Sequence, residues 1–412
     1  MGKNDFIFVK GKNFELSKFE IISYLDTRKY KYDILNDTED FLIVRFLDSI
    51  DTEKMMSLLG GTLKIANVLA EIPKNELKGM KFILVNKLDK IGLEKTFKFK
   101  TEKFIFGVSV YSNKDSYKIY KIMGNYFKKR LKQGGITSKY FGFPKKRKPQ
   151  LTNVEVIKKN LINNSAEIVV CVSTNKVFIG ITKTIHNPFE FQKRDIERPV
   201  QRTIFSISPR LSHILINLSG AKEGDMLLDP FCGIGTILQE ALLNGIKILG
   251  VDIDEACIKS SKENLRWISK EYKLGLNNID ERVMVGDARK LSEYFGENSI
   301  DAIATEPSLG PPLKKRPKYE DAKKTMSELK ILYRDSVSEI NKVLKPGKKA
   351  VIINPSVVSS NGSLSLNLRE IAKQNNFRFC KSILDRRSHQ LVSREINIFY
   401  KINGNNSNSC NS

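Results

Sequence analysis

Between Leu227 and Glu240 the chain reads LLDPFCGIGTILQE: a short apolar run ends in Asp229, turns through Phe231-Cys232-Gly233-Ile234-Gly235, and resumes with helical spacing at Ile237, Leu238, Ala241 and Leu242. That pattern predicts a strand, a glycine turn and a helix. The glycines let the backbone bend tightly and let a bound molecule approach it, while the new helix offers unpaired N–H groups at its positive end. The turn is therefore a candidate ligand site.

The chain continues in regular α/β alternation. IKILGVD reads as a strand, Asp254 caps a helix running through Trp267, and RVMVGDA and SIDAIATEP are further strands. A long helix spans Asp321 to Leu344 and stops at Lys345-Pro346-Gly347. KKAVIINP is a fifth strand, and Leu364 to Gln374 reads as a helix. FRFCKSIL and EINIFYK lie too close together for a helix between them, so they predict a hairpin and one antiparallel strand in an otherwise parallel sheet.

Open parallel sheets bind ligands beyond the carboxyl ends of their strands, which makes acidic residues there informative. Asp229, Asp252 and Asp287 end three successive strands, and Asp252 lies 23 positions after Asp229. That is close to the ~20-residue interval at which an acidic side chain meets a ribose diol. Taken singly, Asp229 also suits a tie for the turn's amides, Asp252 a helix cap and Asp287 an exposed loop. Together with the terminal hairpin they favour a nucleoside cofactor that carries no pyrophosphate.

The preceding residues form other units. FIFVK, a helix from Leu16 to Leu25, DFLIVRF and a helix from Thr52 to Leu59 suggest a ferredoxin-like module over residues 1–75. A second α+β unit, 76–185, contains FIFGVSVYS, a helix from Tyr117 to Leu131 closed by Gly134-Gly135, a helix from Val154 to Ile162, and a hairpin of EIVVCVS with KVFIGITKTI. Residues 186–208 are charged and weakly periodic, and read as a linker into a domain covering 209–402. The polar stretch 403–412 reads as a disordered tail.

Charge narrows the partner. The formal net charge is +24, from 70 Lys and Arg against 46 Asp and Glu, which points to a polyanion. From Ser116 to Val154 there are eleven basic residues and no acidic one, interleaved with Tyr117, Tyr120, Tyr126, Phe127, Tyr140, Phe141 and Phe143. Nucleic acid suits this pattern: Lys and Arg neutralise phosphates and aromatics stack on unpaired bases, although several of these aromatics suit the core instead. Lys128, Lys129, Arg130, Lys145, Lys146, Arg147 and Lys148 are the candidate contacts. The five cysteines are widely spaced, with no C-x-x-C pair, so reduced thiols and no metal site are expected. No run approaches the ~18 apolar residues of a membrane span, and the N-terminus shows no secretory pattern. A cytoplasmic location is expected.

On these residues the C-terminal domain resembles a class I S-adenosylmethionine-dependent methyltransferase. DPFCGIGT is similar to the cofactor turn of the tRNA guanine-10 N2-methyltransferase family, and RPVQRTIFSISPRLSHILINLSGAKEGD to the stretch that precedes it there. The basic second unit resembles that family's THUMP RNA-binding domain. The implied fold is a Rossmann-like α/β sheet with a terminal antiparallel hairpin, behind ferredoxin-like and THUMP α+β domains. The resemblance implies that Phe231, Gly233 and Gly235 line the methionine portion of S-adenosylmethionine, that Asp252 binds the ribose hydroxyls and Asp287 the adenine amino group, and that Asp229 orients the turn and helps hold the cofactor's amino group. It implies tRNA as partner and no membrane. A monomer is expected, with an accessory subunit left open.

The fourth strand ends in Thr305-Glu306-Pro307-Ser308-Leu309-Gly310, where amino-methyltransferases usually have Asp-Pro-Pro-Tyr. An exocyclic amine is a poor nucleophile because its lone pair is delocalised into the ring. A carboxylate and a backbone carbonyl that accept its two hydrogens favour a pyramidal nitrogen aimed at the methyl. Glu306 keeps the acceptor with one more methylene, Pro307 follows it, and Leu309 replaces the stacking aromatic, a place Tyr319 or Phe231 would have to fill. Lys314, Lys315 and Arg316 in the next loop are candidates to clamp target phosphates, and Arg386, Arg387 and His389 near the terminal hairpin are further RNA candidates. Methylation of an exocyclic base amine in tRNA, guanosine N2 at position 10, is the expected activity. The alternatives are a catalytically degenerate protein that binds RNA and cofactor, or an amino-methyltransferase acting on rRNA or DNA.

Overall fold

In the computed structural model of the chain the described residues are 4–74, 104–142, 148–163, 165–201, 207–275, 278–386 and 390–403. They divide into two units, Met1–Lys18 with Lys29–Phe189, and Phe19–Arg28 with Glu190–Ser412.

The first unit is built on one sheet. Its strands are β1 (Asp5–Lys10), β2 (Tyr32–Asp37), β3 (Phe41–Phe46), β4 (Thr62–Pro73), β5 (Phe104–Tyr111), β6 (Ser138–Phe141), β7 (Ala166–Val172) and β8 (Lys176–Ile185), in the order β2-β3-β1-β4-β8-β7-β5-β6. Pairing is antiparallel except where β5 runs parallel to β6 and β7. The sequence suggests separate modules over 1–75 and 76–185, but the two share this sheet. The join is β4, twelve residues long, which pairs with β1 along one edge and β8 along the other. At its centre lies a buried polar cluster. Glu167 Oε1 is in contact with Lys64 Nζ and accepts from Ser109 Oγ at 2.6 Å, and Glu167 Oε2 accepts from Thr182 Oγ1 at 2.7 Å. Lys64 Nζ also donates to the Leu151 carbonyl at 2.8 Å. Buried charges persist when paired and hydrogen-bonded in this way.

In the second unit β9 (Met226–Asp229), β10 (Lys247–Asp252), β11 (Val283–Val285), β12 (Ala302–Thr305), β13 (Lys349–Ser359), β15 (Phe377–Asp385) and β16 (Val392–Lys401) form a sheet ordered β11-β10-β9-β12-β13-β16-β15, and β14 (Gly362–Ser365) pairs with β13. The first five are parallel, while β16 is antiparallel to both β13 and β15. The terminal hairpin expected from the sequence is present. Strand order reverses between β10-β9 and β12, and such switch points open the crevice where α/β sheets bind ligands. The helix Tyr319–Val343 covers part of the sheet, packing Met326, Leu329, Tyr333, Val337 and Ile340 against Ile303 and Ile352.

Two expectations for this unit are corrected. Leu364 belongs to β14, and the helix after it starts at Leu368. Residues 186–208, expected to be a linker, hold a helix, Pro188–Ile196. That helix buries a charge rather than an apolar stripe: Arg194 Nε donates to Glu240 Oε1 at 2.9 Å, and Glu240 Oε2 lies 2.7 Å from His213 Nε2. Burial opposes the charge on Glu240, yet His213 and Arg194 hold its carboxyl below the ordinary range. A helix anchored by an ion pair has little hydrophobic period to read.

Candidate active site

The carboxyl ends of β9, β10 and β12, with the loop after β11, surround a cleft of about 330 Å³ lined by Asp229, Phe231, Gly233, Asp252, Asp287, Glu306, Pro307 and Leu309, together with Ile207, Ile253, Arg289 and Leu332. Five of the six predicted cofactor residues and both predicted catalytic residues therefore meet in one place. The sixth, Gly235, is not part of the wall. It sits at φ +84°, and a Cβ there would come within 2.4 Å of Ser261 Oγ. Its constraint is close packing of the helix Thr236–Leu243 on the helix Glu255–Glu271, together with a left-handed backbone that suits glycine. Gly233 differs: at φ +52° its missing Cβ would meet no atom within 4 Å, so the backbone is open to a ligand.

Asp229 is the buried anchor of the turn. Its Oδ1 accepts from the Phe231 N–H at 3.2 Å and from Thr305 Oγ1 at 2.7 Å. Burial pushes its pKa up to about 7, against the opposing pull of those two donors, and nearby Asp252 and Glu306 add to the rise. An aspartate poised there would gain from a cationic ligand group. Asp252 Oδ2 accepts from the Gly233 N–H at 2.8 Å and Oδ1 from the Asp254 N–H at 3.0 Å. Asp254, not Asp252, caps the next helix. One lone pair on each Asp252 oxygen stays available for hydroxyl donors. Asp287 is gripped by Arg289, whose Nη2 lies 2.6 Å from Oδ2, and this bond holds its carboxyl below the usual range.

The loop Thr305–Gly310 is pinned from beneath. Tyr333, on the long helix, places its hydroxyl 3.2 Å from the Ser308 carbonyl and 3.0 Å from that of Ile353, so its single proton serves one of the two. Leu309 is 8% exposed and lines the cleft where an aromatic was expected. Phe231 also lines it, whereas Tyr319 begins the long helix and is not among the lining residues.

Glu306 has a partner that the sequence did not suggest. Arg394 on β16 clasps it: Nε contacts Oε1, and Nη2 lies 3.2 Å from Oε2. The two side chains are 9% and 10% exposed. Burial works against the Arg394 charge, but the bond to Glu306 prevails and raises its pKa. The available signal was that, at strand period, Arg394 of VSREINIFY shares a face with Ile396 and Ile398, since a buried arginine requires a buried acid. Thr305 was also missed as the donor to Asp229.

The basic candidates lie outside the cleft wall. Lys128 and Lys129 are exposed on the helix Ser116–Gln133, as are Lys118, Lys121 and Lys132, while Arg130 is half-buried and reaches Gln133 at 3.3 Å. Lys148, Lys314, Lys315, Arg316 and Arg386 are exposed. Lys145, Lys146, Arg147, Phe143, Arg387 and His389 fall outside the described residues. The aromatics expected to stack on bases belong largely to the core: Tyr120 and Phe127 are buried, and Tyr140 stacks on Phe106 with ring centroids 4.8 Å apart. Sheet packing needs large apolar surface on the inward face of this helix, and the aromatics supply it.

Parts of this chain are similar to known proteins. Residues 198–379 match a family model described as RMKL-like, methyltransferase domain, and residues 107–263 match one described as DNA methylase. The tRNA (guanine(10)-N2)-dimethyltransferase of Methanothermobacter thermautotrophicus is 40% identical over 116 residues, 27% of this chain and 31% of the relative. That of Methanocaldococcus jannaschii is 33% identical over 186 residues, 43% of this chain and 49% of the relative. The matches thus span 31% and 49% of those relatives' length, less than half in each case. TrmN from Thermus thermophilus has a TM-score of 0.54 at 16% identity, covering 97% of this chain and 100% of that one. It shows that the two chains share a fold. Among the described residues no helix is long and apolar enough to cross a membrane.

Proposed function

We propose that this chain, whose residues 198–379 belong to the RMKL-like methyltransferase domain family, transfers a methyl group from S-adenosylmethionine to the N2 amine of a guanosine in tRNA. The observation that carries this reading is the convergence of Asp229, Asp252 and Glu306-Pro307 on one cleft at the sheet's switch point.

The residues fit such a cofactor. Asp229 offers a buried carboxylate for an ammonium, Gly233 an unobstructed backbone, and Asp252 two oxygens with acceptor capacity for a diol. Asp287, held by Arg289, is assigned to the adenine amino group. When bound, S-adenosylmethionine would supply its sulfonium methyl to the amine nitrogen, the electrons of the C–S bond staying with sulfur and one amine proton being lost. Glu306 and the Pro307 carbonyl accept the amine's two hydrogens and aim its lone pair, and the Glu306 carboxylate is the nearest base for the departing proton. Phe231 is the lining aromatic available to the target base.

RNA is drawn to the exposed lysines of the helix Ser116–Gln133 and to Lys148, with Lys314, Lys315 and Arg316 assigned to phosphates near the target nucleotide. Guanosine at position 10 follows the names of the relatives, and a monomeric enzyme and a cytoplasmic location belong to the same reading.

Incubation with methyl-tritiated S-adenosylmethionine and unmodified tRNA tests it. Label is expected in the RNA. With Lys128, Lys129 and Lys132 changed to alanine, tRNA binding should weaken and the slope of log affinity against log salt should flatten by about 2–3. Unlabelled RNA would refute the activity, and an unchanged slope would remove this helix from the interface.

A further inference from the structure

We infer that Arg394 is a positioning residue for the reaction, holding the Glu306 carboxylate in one orientation by engaging both of its oxygens, a contact the longer glutamate side chain reaches. The inference rests on the methyl-transfer reading above and goes beyond it in assigning a role to the terminal hairpin.

Glutamate places its carboxylate one methylene farther from the backbone than aspartate and adds a rotatable bond. An unrestrained Glu306 would sample several rotamers at the mouth of the cleft, and a misplaced acceptor is costly in an aligned displacement. Arg394 removes that freedom. Its planar guanidinium engages both carboxylate oxygens, the geometry in which arginine is most directional. The arginine itself is set on a sheet strand: its residue pairs with Pro355 of β13 on one side and, near the turn end of the antiparallel hairpin, with Asp385, the last residue of β15, on the other. A carboxylate has about four acceptor positions. Two are taken by Arg394, which leaves one on each oxygen for a substrate amine, while the Pro307 carbonyl stays available for the second hydrogen.

The pair also keeps Glu306 compatible with its surroundings. Asp229, close enough to feel its charge, is already pushed up by burial, and the Arg394 charge beside Glu306 offsets the repulsion between the two carboxylates. Because Glu306 and Arg394 lie 88 positions apart, only the fold brings them together.

The test compares Arg394→Met, Arg394→Lys, Glu306→Asp and the double variant Glu306→Asp/Arg394→Met. Single-turnover methyl transfer to tRNA, S-adenosylhomocysteine affinity by calorimetry and the thermal midpoint are read for each. Arg394→Met should lower the transfer rate on the order of 100-fold, with the tRNA KM and S-adenosylhomocysteine affinity within about threefold of wild type. Arg394→Lys should recover part of the rate, since it restores the charge without the fork. Glu306→Asp should also be slow, and the double variant should be no slower than the worse single one, because the two act as a unit. A folded Arg394→Met protein that transfers at the wild-type rate, or rate losses that simply add, would overturn the inference. Should Arg394→Met not fold, the Arg394→Lys and Glu306→Asp rates decide alone, wild-type rates for both counting against it. A wild-type chain that binds S-adenosylhomocysteine but transfers nothing would instead refute the activity on which the inference rests.

Discussion

Replacing Asp229 by asparagine is expected to stabilise the cofactor-free protein at pH 8 while weakening S-adenosylmethionine binding on the order of 100-fold. The reason lies in the burial of this carboxyl, which raises its pKa to about 7. Below about pH 4 it is protonated in both folded and unfolded chains. Between about 4 and 7 the folded chain keeps the proton that the unfolded chain loses, so rising pH favours unfolding, and above 7 the full cost is present. A shift of about three units corresponds to roughly 4 kcal/mol. Asparagine can still accept from the Phe231 amide and from Thr305 without any charge. Its apo thermal midpoint should therefore exceed wild type by roughly 5–10 °C at pH 8 and hardly at all at pH 4. The wild-type protein should bind cofactor more tightly as pH rises from 5.5 to 7.5, and Asp229→Asn should lose that dependence. A variant that is less stable at pH 8, or that binds cofactor normally, would contradict this account of the turn.

The second large effect concerns Glu306. Glu306→Gln preserves size but replaces one acceptor oxygen by an NH₂ group, which must face either the Arg394 guanidinium or the substrate amine. Both are donors. The methyl-transfer rate should fall on the order of 100- to 1,000-fold, the scale for removing one preorganised polar contact at a reacting centre. Calorimetry should show S-adenosylhomocysteine affinity within a few-fold of wild type, because the cofactor groups are assigned to Asp229, Asp252 and Asp287. Near-normal transfer by this variant would remove Glu306 from the chemistry.

Much of this site was legible in the chain because it is local. Asp229, Asp252 and Asp287 each end a predicted strand, and strand ends in a parallel sheet converge, so periodicity alone brought them together. Glu306-Pro307 also ends a predicted strand, and its likeness to the Asp-Pro-Pro-Tyr motif of amino-methyltransferases is what singled it out. What escaped depends on long-range pairing. The Arg394–Glu306 clasp joins β16 to the end of β12, and neither neighbourhood signals the other. The helix Pro188–Ile196 was read as a linker because its buried contact is Arg194 with Glu240, a charge pair that leaves little apolar stripe. Strand β2, half exposed at the sheet edge, carried too little alternation to register. Gly235 was placed in the cofactor wall by its motif, whereas Ser261 shows that it serves helix packing. The aromatics among the lysines of residues 116–154 suited either base stacking or the core, and Tyr120 and Phe127 prove to be core residues with Tyr140 packed against them. Charge without burial marks the outer face, and periodicity decides which aromatics can reach it.

The most direct test of the proposed activity is nucleoside mass spectrometry of unmodified tRNA after incubation with this protein and S-adenosylmethionine. N2-methylguanosine or N2,N2-dimethylguanosine, absent when Glu306→Gln replaces the wild-type chain, is the result expected. A methylated adenosine or cytidine in their place, or no new methylated nucleoside from a protein that binds both cofactor and tRNA, would contradict it.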